Sequence, residues 1–566
     1  MAATATTRIP NAPEHFQRAS ANGWQTISAN EAQRPLEGAE LAVNYSEYFN
    51  QGDFQLTFAF PFRTSLDAAV LERRFPAAIW LTRTLLPELG TSTVATQSSA
   101  STSDHVDLDH ATFRAITSLD HALDWLDQSA FVIHDAQSFQ EVCERTSNER
   151  IEPAGQHFRA YLVLDPKSGP SAFVLNVSHV LNGHRLLHQA QNVLQSLLHP
   201  SFDQVLPSDS RVGSGDTARH QIELVKAVFQ PEDLRHVLPR LPQSLPHAYK
   251  SRFQPSAEHF NIGSQKLAER LENDAKPTIG IPGFNQVLTQ DRHSDRPMIN
   301  LRRSFSKEEQ ERFRIQCKRN KATISSYVYA AVVKAIEQLT TTVEASGNGK
   351  TTQGAHLTFP AHASRWLPEE TAKQSRSVVT MAIAPASVYL TPEEVSPSDA
   401  NVQAGSSQNA QVQDTFRLAR ILGIKQNEYL NSPHILASLD TLGQAGAQGV
   451  RSNAQALAAG NAAPSSASSF STPTLTSQGI LDLAKDYPMP STDMSSSSTS
   501  HWLQLTDAVQ YGRATSPSVC FSLYSFDGKL HLMVHFDERR FDPAVVTSVL
   551  DRVCTLIEPC CHPALL

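Results

Sequence analysis

His179 is the residue of this chain whose type and setting could most directly do chemistry. It stands in the stretch NVSHVLNGHR (176–185), after an apolar run and before residues at helical spacing. A neutral imidazole has a pKa near working pH, so it can take a proton from a hydroxyl group and later return it. Side chains at the end of a strand commonly face a cleft. This stretch alone is compatible with two roles for His179, a general base and a structural histidine.

Other catalytic signatures are missing from the sequence. There is no G-x-S-x-G, which disfavours a nucleophile-elbow hydrolase, and no G-x-G-x-x-G after a strand, which disfavours a Rossmann cofactor site. The stretch EASGNGKTT (344–352) ends like a phosphate-binding loop, but Glu344 stands where the first glycine must be. We therefore interpret it as a polar loop and find no obvious covalent nucleophile.

Two groups of residues could suggest a metal site. His184 and His188 are four apart, but no glutamate follows His184 and Arg185 is adjacent, so we expect a solvated helix face. The tail EPCCHPALL places two cysteines beside His562, without a second ligand pair at a suitable spacing. The sequence therefore predicts no metal and no permanently bound cofactor.

The elements around His179 follow from the apolar pattern. The runs 157–165 and 171–179 flank a Pro/Gly turn and predict a strand pair that ends at His179. Behind it, helical spacing of apolar residues predicts a helix; these are Leu186, Leu187, Ala190, Val193, Leu194 and Leu197. His179 should thus lie where a strand ends and a helix begins.

Local signals in the second half predict further elements. Ser306 with Glu309 fits a capping box at a helix start, with Ser304 as the alternative cap. Asp-Gly at 527–528 between two apolar runs predicts a type I′ hairpin, and Asp-Pro at 542–543 predicts a helix start. Helical and strand patterns alternate along the chain, so we expect a mixed α/β fold.

The length of 566 residues allows two domains, each with its own core. We place an N-terminal segment at 1–20, a first lobe with the histidine at 21–250, and a second lobe at 295–566. Segments rich in Ser, Ala and Gln within the second lobe have few large apolar residues, so we interpret them as surface insertions. They are residues 391–414, 443–477 and 491–500.

Composition excludes several classes of protein. The formal net charge of −8 shows no basic footprint, so we expect no nucleic-acid partner. No apolar run approaches about 20 residues, so we expect no membrane-spanning helix. The six cysteines are scattered and form no disulfide framework, which favours a reducing compartment. We expect a monomer.

Four stretches between residues 176 and 546 resemble segments of one family and follow the family's order. NVSHVLNGHRLLHQAQNVLQ resembles the H-x-x-x-D-G region of acyltransferases related to chloramphenicol acetyltransferase, the plant BAHD enzymes and peptide-synthetase condensation domains. LRRSFSKEEQERFRIQCKRNKATISSYVYAAVVKAI, FPAHASRWLP and SLYSFDGKLHLMVHFDERRFDPAVV are similar to the second-lobe segments of the fungal trichothecene O-acetyltransferase family.

This resemblance implies a fold and a reaction. The family has two chloramphenicol-acetyltransferase-like lobes, each a mixed sheet with helices, and a central tunnel between them. His179 would lie at the centre of the tunnel, with acyl-CoA as co-substrate entering from one side and an alcohol from the other. The histidine would act as the general base of a direct transfer, without a covalent acyl-enzyme.

The sequence departs from the family's pattern just after the histidine. The family has Asp at four residues and Gly at five, whereas here Asn182 is at three, Gly183 at four and His184 at five. Either Asn182 replaces the Asp in a shorter turn, or Gly183 occupies its position. The family's Asp pairs with an arginine of the second lobe, for which Arg365 is the candidate and Arg376 the alternative. The D-F-G-W-G signature is also absent, and YGRATSPSVCFS stands in its place.

The resemblance also suggests substrates and a compartment. Fungal relatives acylate sesquiterpenoids or secreted glycolipids, and the acyltransferases of mannosylerythritol-lipid synthesis, which use short- or medium-chain acyl groups, fit best. The segment Arg8–Phe16 (RIPNAPEHF) matches the spacing of the N-terminal peroxisomal import nonapeptide, although Pro10 and Pro13 oppose a helix there. Import would bring the enzyme to chain-shortened acyl-CoA; otherwise we expect a cytoplasmic protein.

Three alternatives remain open at this point. One is O-acetylation of a trichothecene-like terpenoid by the same fold. Another is a condensation-type amide former, although no carrier-protein or adenylation module accompanies it. The last is a non-catalytic binding protein that kept the fold and lost the full motif, which the missing Asp favours.

Overall fold

The computed structural model describes most of the chain outside the N-terminal segment and several internal stretches. The described residues are 22–93, 108–151, 157–183, 185–205, 216–252, 256–274, 276–283, 297–344, 353–367, 379, 381–397, 408–431, 436, 439–458, 470–471, 473–488 and 501–562. Within these ranges, no helix combines the length and the apolar character needed to cross a membrane.

Helices and strands alternate along the whole chain. The helices are α1 Ala39–Phe49, α2 Ala68–Leu85, α3 Leu119–Ser129, α4 Phe139–Asn148, α5 His179–Asn182, α6 Leu186–Leu197, α7 Ser201–Val205, α8 Thr217–Val228, α9 Leu234–Val237, α10 Leu245–Arg252, α11 Ala257–Asp274, α12 Lys307–Arg319, α13 Ile324–Glu344, α14 Pro392–Val395, α15 Gln408–Leu430, α16 Leu439–Ala458 and α17 Pro543–Cys561. The strands are β1 Gln25–Ser28, β2 Glu31–Pro35, β3 Leu56–Thr64, β4 Thr91–Ser92, β5 His110–Arg114, β6 Ala130–Ile133, β7 Phe158–Val163, β8 Ala172–Val177, β9 Thr278–Ile279, β10 Ile281–Pro282, β11 Met298–Phe305, β12 Gly354–His362, β13 Ile383–Leu390, β14 Phe470–Ser471, β15 Thr474–Ile480, β16 Asp486–Tyr487, β17 Leu503–Leu505, β18 Val509–Gly512, β19 Cys520–Phe526 and β20 Lys529–Asp537.

The first lobe is built on a seven-stranded sheet with the order β16-β17-β3-β8-β7-β6, and β18 also pairs with β3. Strands β7 and β8 are antiparallel neighbours, which confirms the predicted strand pair. Every residue of β8 is buried, because α2 and α6 cover this sheet and share its apolar core. Helix α6 begins at Leu186, as the spacing of its apolar residues predicts.

The second lobe is built on a seven-stranded sheet with the order β11-β20-β19-β15-β12-β13, with β9 paired to β12. Its apolar face packs on α13, α15 and α17. The predicted capping box of Ser306 and Glu309 is present at the start of α12. Asp527 and Gly528 have φ values of 47° and 76°, so both central residues of the hairpin are left-handed, as a type I′ turn requires.

Strands from late in the chain complete the sheet of the first lobe. Strands β16, β17 and β18 follow most of the second lobe in sequence, yet they pair with β3 or with each other in the first sheet. Leu56 of β3 is paired with Val177 on one side and with Gly512 on the other. The boundary predicted at residue 295 is therefore not the division between the sheets, because β16, β17 and β18 belong to the first sheet.

Parts of the predicted insertions are regular structure. Helix α15 begins within 391–414, α16 covers the first part of 443–477, and β15 begins at its end and lies inside the second sheet. The interpretation as insertions was wrong there, because Ala and Gln are good helix formers and small residues permit close packing. Gly443 lies directly against the main chain of Gly38, so α16 packs closely on α1. Residues 491–500 lie outside the described residues.

A small sheet, with the order β1-β2-β5-β4, supports the helix that begins with His179. Val180 and Leu181 of α5 are buried in one apolar cluster with Trp24 and Phe113. A four-residue helix has too few hydrogen bonds to be stable alone. The position of α5 is therefore determined by its neighbours.

Candidate active site

His179 is the first residue of α5, directly after β8. Ser178 caps the helix: its backbone is extended and its Oγ accepts the Val180 N–H at 3.3 Å. The Ser178 N–H donates to the carbonyl of His157 at 3.0 Å, which ties the turn to the start of β7. The predicted place of His179, at a strand end and a helix start, is confirmed.

The imidazole of His179 lies in a setting that favours its neutral form. Burial lowers the pKa of His179, and the main-chain carbonyl of the same residue opposes this by hydrogen bonding to the ring. Nδ1 is buried without a hydrogen-bond partner among the other described residues, while the residue as a whole is partly exposed. A neutral imidazole donates from one nitrogen and accepts at the other. A proton on Nδ1 would leave the lone pair on Nε2, the geometry that a base needs.

Gly183 leaves the space that the ring of His179 occupies. A Cβ atom at this position would lie 2.7 Å from Cε1 and 2.8 Å from Cγ of His179. The φ of Gly183 is −57°, so its backbone is ordinary and only the lack of a side chain is required. The sequence identified Gly183 as a motif residue, and the structure supplies the physical reason.

Asn182 and Arg365, the residues predicted to pair and hold the turn, stand in the expected elements. Asn182 is the last residue of α5, and Arg365 lies in a 3₁₀ turn, Ala363–Trp366, directly after β12. The side chains of both lie outside the described residues, and so does Arg376. The pairing of Asn182 with Arg365 stays a prediction.

Sequence reasoning missed Glu47, a buried carboxyl that contacts the main chain of His179. Glu47 lies on α1, is 1% exposed, and its Oε1 accepts the His179 N–H at 2.8 Å. Burial raises the pKa of Glu47 to about 8, although hydrogen bonds with Ser178, His179, Val180 and Gln55 lower it. The sequence of α1 carries no signal that distinguishes a buried glutamate from a solvent-exposed one.

The sequence marked Arg185 only as a charged neighbour of His184. In the structure it is 2% exposed and forms an ion pair with the fully buried Glu88, with Nη2 to Oε1 at 2.9 Å. Burial lowers the pKa of Arg185 and raises that of Glu88, and each charge opposes the other's shift. Arg185 is the N-cap of α6, so this pair holds the far end of the turn that contains His179.

The stretch YGRATSPSVCFS (511–522), which stands in place of the D-F-G-W-G signature and is called the crossing segment below, joins the lobes beside α1. Arg513, directly after β18, donates to the carbonyls of Gln51, Ser147 and Asn148 in the first lobe. Asp53, in the loop after α1, accepts the N–H groups of Thr515 at 3.0 Å and of Ser516 at 3.2 Å. Burial lowers the pKa of Arg513 to about 10 and raises that of Asp53 to about 6. The loop after α1 is thus held by the crossing segment.

A cavity of about 390 Å³ lies between α1 and α16 and is lined by Leu36, Tyr45 and Gln448 among others. None of its lining residues belongs to α5. Tyr45 and Glu47 are two residues apart and project from different sides of α1. This cavity is therefore separate from His179, and the tunnel at His179 stays an expectation.

Comparison with known proteins identifies the class. No family model matches the chain. It is 38% identical over 546 residues, 94% of its length and 95% of the relative's, to the acyl-CoA-dependent acyltransferase MAC2 of Pseudozyma antarctica (strain T-34). It is 25% identical to the acyl-CoA-dependent acyltransferase MAC1 of the same organism, with 96% of each chain covered.

The fold matches solved structures along nearly the whole chain. The TRI3 trichothecene 15-O-acetyltransferase of Fusarium sporotrichioides superposes with a TM-score of 0.67 at 16% identity, over 98% of this chain and 99% of that one. The condensation domain of the Monacolin K polyketide synthase MokA superposes with a TM-score of 0.51 at 13% identity, over 95% and 99%. The predicted mixed α/β fold with two lobes is confirmed.

Sequence identity along nearly the whole chain assigns this protein to a class of enzyme. The chain belongs to the family of acyl-CoA-dependent acyltransferases, as its identity to MAC2 along nearly its whole length shows. The resemblance inferred from four sequence stretches is confirmed, and the alternative of a non-catalytic binding protein is set aside.

Proposed function

We propose that this enzyme transfers a short- or medium-chain acyl group from acyl-CoA to a hydroxyl of a glycolipid or similar secondary metabolite. The observation that carries the mechanism is His179 itself, a histidine whose pKa is lowered and whose Nδ1 is buried against its own turn. The identity to MAC2, an acyl-CoA-dependent acyltransferase, supports acyl-CoA as the donor and co-substrate.

The reaction follows from a neutral imidazole with its lone pair on Nε2. Nε2 takes the proton of the acceptor hydroxyl while that oxygen bonds to the thioester carbonyl carbon. The tetrahedral intermediate then collapses and the C–S bond breaks. The departing CoA thiolate receives from Nε2 the proton that came from the hydroxyl. One O–H and one C–S bond are exchanged for one C–O and one S–H bond, and no acyl-enzyme forms.

We propose that Asn182 and Arg365 hold the turn from its second-lobe side. An Asn side chain can accept a hydrogen bond from an arginine, although less strongly than a carboxylate would. Asn182 is the last residue of α5 and Arg365 lies in the 3₁₀ turn after β12, and these positions support the proposed role. Replacing Arg365 by Lys should weaken the pairing, because Lys lacks the planar guanidinium geometry.

A thiol-release assay tests the general base. Purified enzyme, acyl-CoA, a candidate alcohol and a thiol reagent report the CoA released. His179→Ala should lower kcat by about 100-fold or more, the scale of general-base catalysis. His188→Ala, a histidine of the same stretch on α6, is the matched control and should keep the wild-type rate. Turnover that persists in His179→Ala would rule out the mechanism.

Substrate comparison tests the donor and the acceptor. Acetyl-, hexanoyl-, decanoyl- and palmitoyl-CoA should give the highest kcat/KM at a short or medium chain. A mannosylerythritol-type glycolipid should be acylated in preference to a terpenoid alcohol. Preference for acetyl-CoA together with a terpenoid alcohol would instead indicate a trichothecene-type acetyltransferase. Metabolite profiling of a deletion strain reports the acceptor directly.

We also propose import into peroxisomes through the segment Arg8–Phe16, which lies outside the described residues. The support is its spacing, Arg-Ile, five residues, His-Phe. Residues 1–30 fused to a fluorescent protein should give a punctate signal that coincides with a peroxisomal marker. The same fusion with Arg8 and His15 changed to Ala should be diffuse. A diffuse signal from the unaltered fusion would contradict import.

A further inference from the structure

We propose that Glu47 is a positioning residue for His179, whose carboxyl holds the start of the four-residue helix that carries the base. The inference rests on the proposed role of His179. Its basis is one set of contacts: the Glu47 carboxyl hydrogen bonds with the His179 main chain at 2.8 Å and also with Ser178 and Val180. Three consecutive positions of the turn thus meet a single side chain.

The first N–H groups of a helix have no partner inside the helix and need one from elsewhere. In α5, which has four residues, they are a large share of all its main-chain groups. Ser178 supplies one acceptor, for Val180, and Glu47 supplies the acceptor for His179. The direction in which the His179 side chain leaves the turn therefore depends on Glu47.

Glu47 acts on the main chain of His179 and leaves the ring to the substrate. The hydrogen bond joins Oε1 to the main-chain N–H of His179, whereas the ring of His179 packs against Gly183. Loss of the carboxyl should therefore move the base without removing a substrate-binding surface. A displacement of about 1 Å at a reacting group can lower the rate about 100-fold.

Stability alone does not account for a carboxyl at this place. Within the described residues, Glu47 forms no ion pair with a Lys, Arg or His side chain, unlike Glu40 on the same helix, which pairs with Arg34 at 2.7 Å. Burying an unpaired acid costs free energy of folding, which is why its pKa rises to about 8. Such locally unfavourable groups are found where function requires them.

The test compares variants of the two buried acids of α1. Glu47→Ala should lower kcat by about 10- to 100-fold while the KM for acyl-CoA changes less than about threefold. Glu47→Gln keeps an oxygen that accepts the His179 N–H, so its kcat should stay within about threefold of wild type. Glu40→Ala, the matched control, should lower the unfolding midpoint without lowering kcat. His179→Ala is measured in parallel.

Each outcome decides between positioning and plain stability. Wild-type kcat in a folded Glu47→Ala variant, with His179→Ala inactive, would overturn the role of Glu47 and leave the proposed function intact. An equal loss of kcat in Glu47→Ala and Glu40→Ala, or in Glu47→Ala and Glu47→Gln, would also overturn it. If Glu47→Ala does not fold, Glu47→Asp takes its place: its shorter side chain withdraws the oxygen, so its kcat should fall below that of Glu47→Gln. Wild-type turnover in His179→Ala would instead contradict the proposed function.

Discussion

Gly183 and His179 stand so close that no side chain fits between them: a Cβ atom on Gly183 would lie 2.7 Å from Cε1 of the imidazole. Real Cβ atoms essentially never approach a ring atom to that distance, so a methyl group there must displace the ring or open the turn. The ring is at the same time the group proposed to take the proton. The turn after β8 is therefore shaped around the base.

Gly183→Ala should lower kcat by about 100-fold, because the added methyl pushes the imidazole away from its position. The thiol-release assay measures this, and circular dichroism checks the fold. Gly449→Ala is the matched control: Gly449 lies in α16, with no atom within 4 Å of its Cβ position. That change should stabilise the helix by about 1 kcal/mol and leave kcat as it is. Full activity in Gly183→Ala would contradict the described packing.

The pH profile of kcat/KM should show its acid limb below pH 6.5, the ordinary pKa of histidine. Burial lowers the pKa of His179, so the neutral, base-competent form persists to lower pH, and activity rises as pH passes upward through that lowered pKa. Burial also raises the pKa of Glu47, which contacts the main chain of His179, to about 8. If the pH profile shows a second change near pH 8 that comes from Glu47, that change should be absent from the profile of Glu47→Gln. An acid limb centred at or above pH 6.5 would contradict the setting described for His179.

Much of the site was predictable from local sequence, since its elements depend on neighbouring residues. The end of β8 follows from an apolar run, and the hairpin at Asp527 follows from two residues that favour positive φ. Pairing between distant segments has no such local signal. β18 and β3 are joined at Ala59 and Val509, and nothing in either stretch indicates the other. This is why the crossing strands and the lobe boundary were missed.

The buried charges were missed for a related reason. Arg185 and Glu88 are each typical surface residues by type, and only the fold brings them together in the interior. The same is true of Glu47, whose partner is a main-chain N–H far along the chain. Helix α16 was missed because its apolar content is low, although its Ala and Gln residues favour a helix.

Arg185→Met should lower the free energy of unfolding by about 3–5 kcal/mol, because it leaves Glu88 buried without its cation. Urea denaturation measures the loss. The double variant Arg185→Met with Glu88→Leu should be more stable than Arg185→Met alone, since neither charge of this pair then remains buried. Because Glu88 can take up a proton, the loss in the single variant should shrink as pH falls. Additive losses in the two single variants would contradict the ion pair.

Asp53→Asn should stabilise the enzyme above neutral pH and have little effect in acid. Oδ1 of Asp53 accepts two main-chain N–H groups, from Thr515 and Ser516, and Oδ2 accepts the Ser46 hydroxyl. An Asn side chain matches this pattern, because its oxygen can accept both N–H groups and its NH₂ can donate to Ser46. The substitution therefore keeps the contacts between the loop after α1 and the crossing segment.

The sign of the effect follows from the pKa of Asp53, which burial raises from 3.8 to about 6. Between these values the folded state binds more protons than the unfolded state, so wild-type stability falls as pH rises through that window. Above pH 6 the full cost, up to about 3 kcal/mol, is present in the wild type and absent in Asp53→Asn. Urea denaturation at pH 4.5 and pH 7.5 should show the difference between the two proteins growing with pH. A difference that does not change with pH would mean that Asp53 titrates at its ordinary value in the folded enzyme.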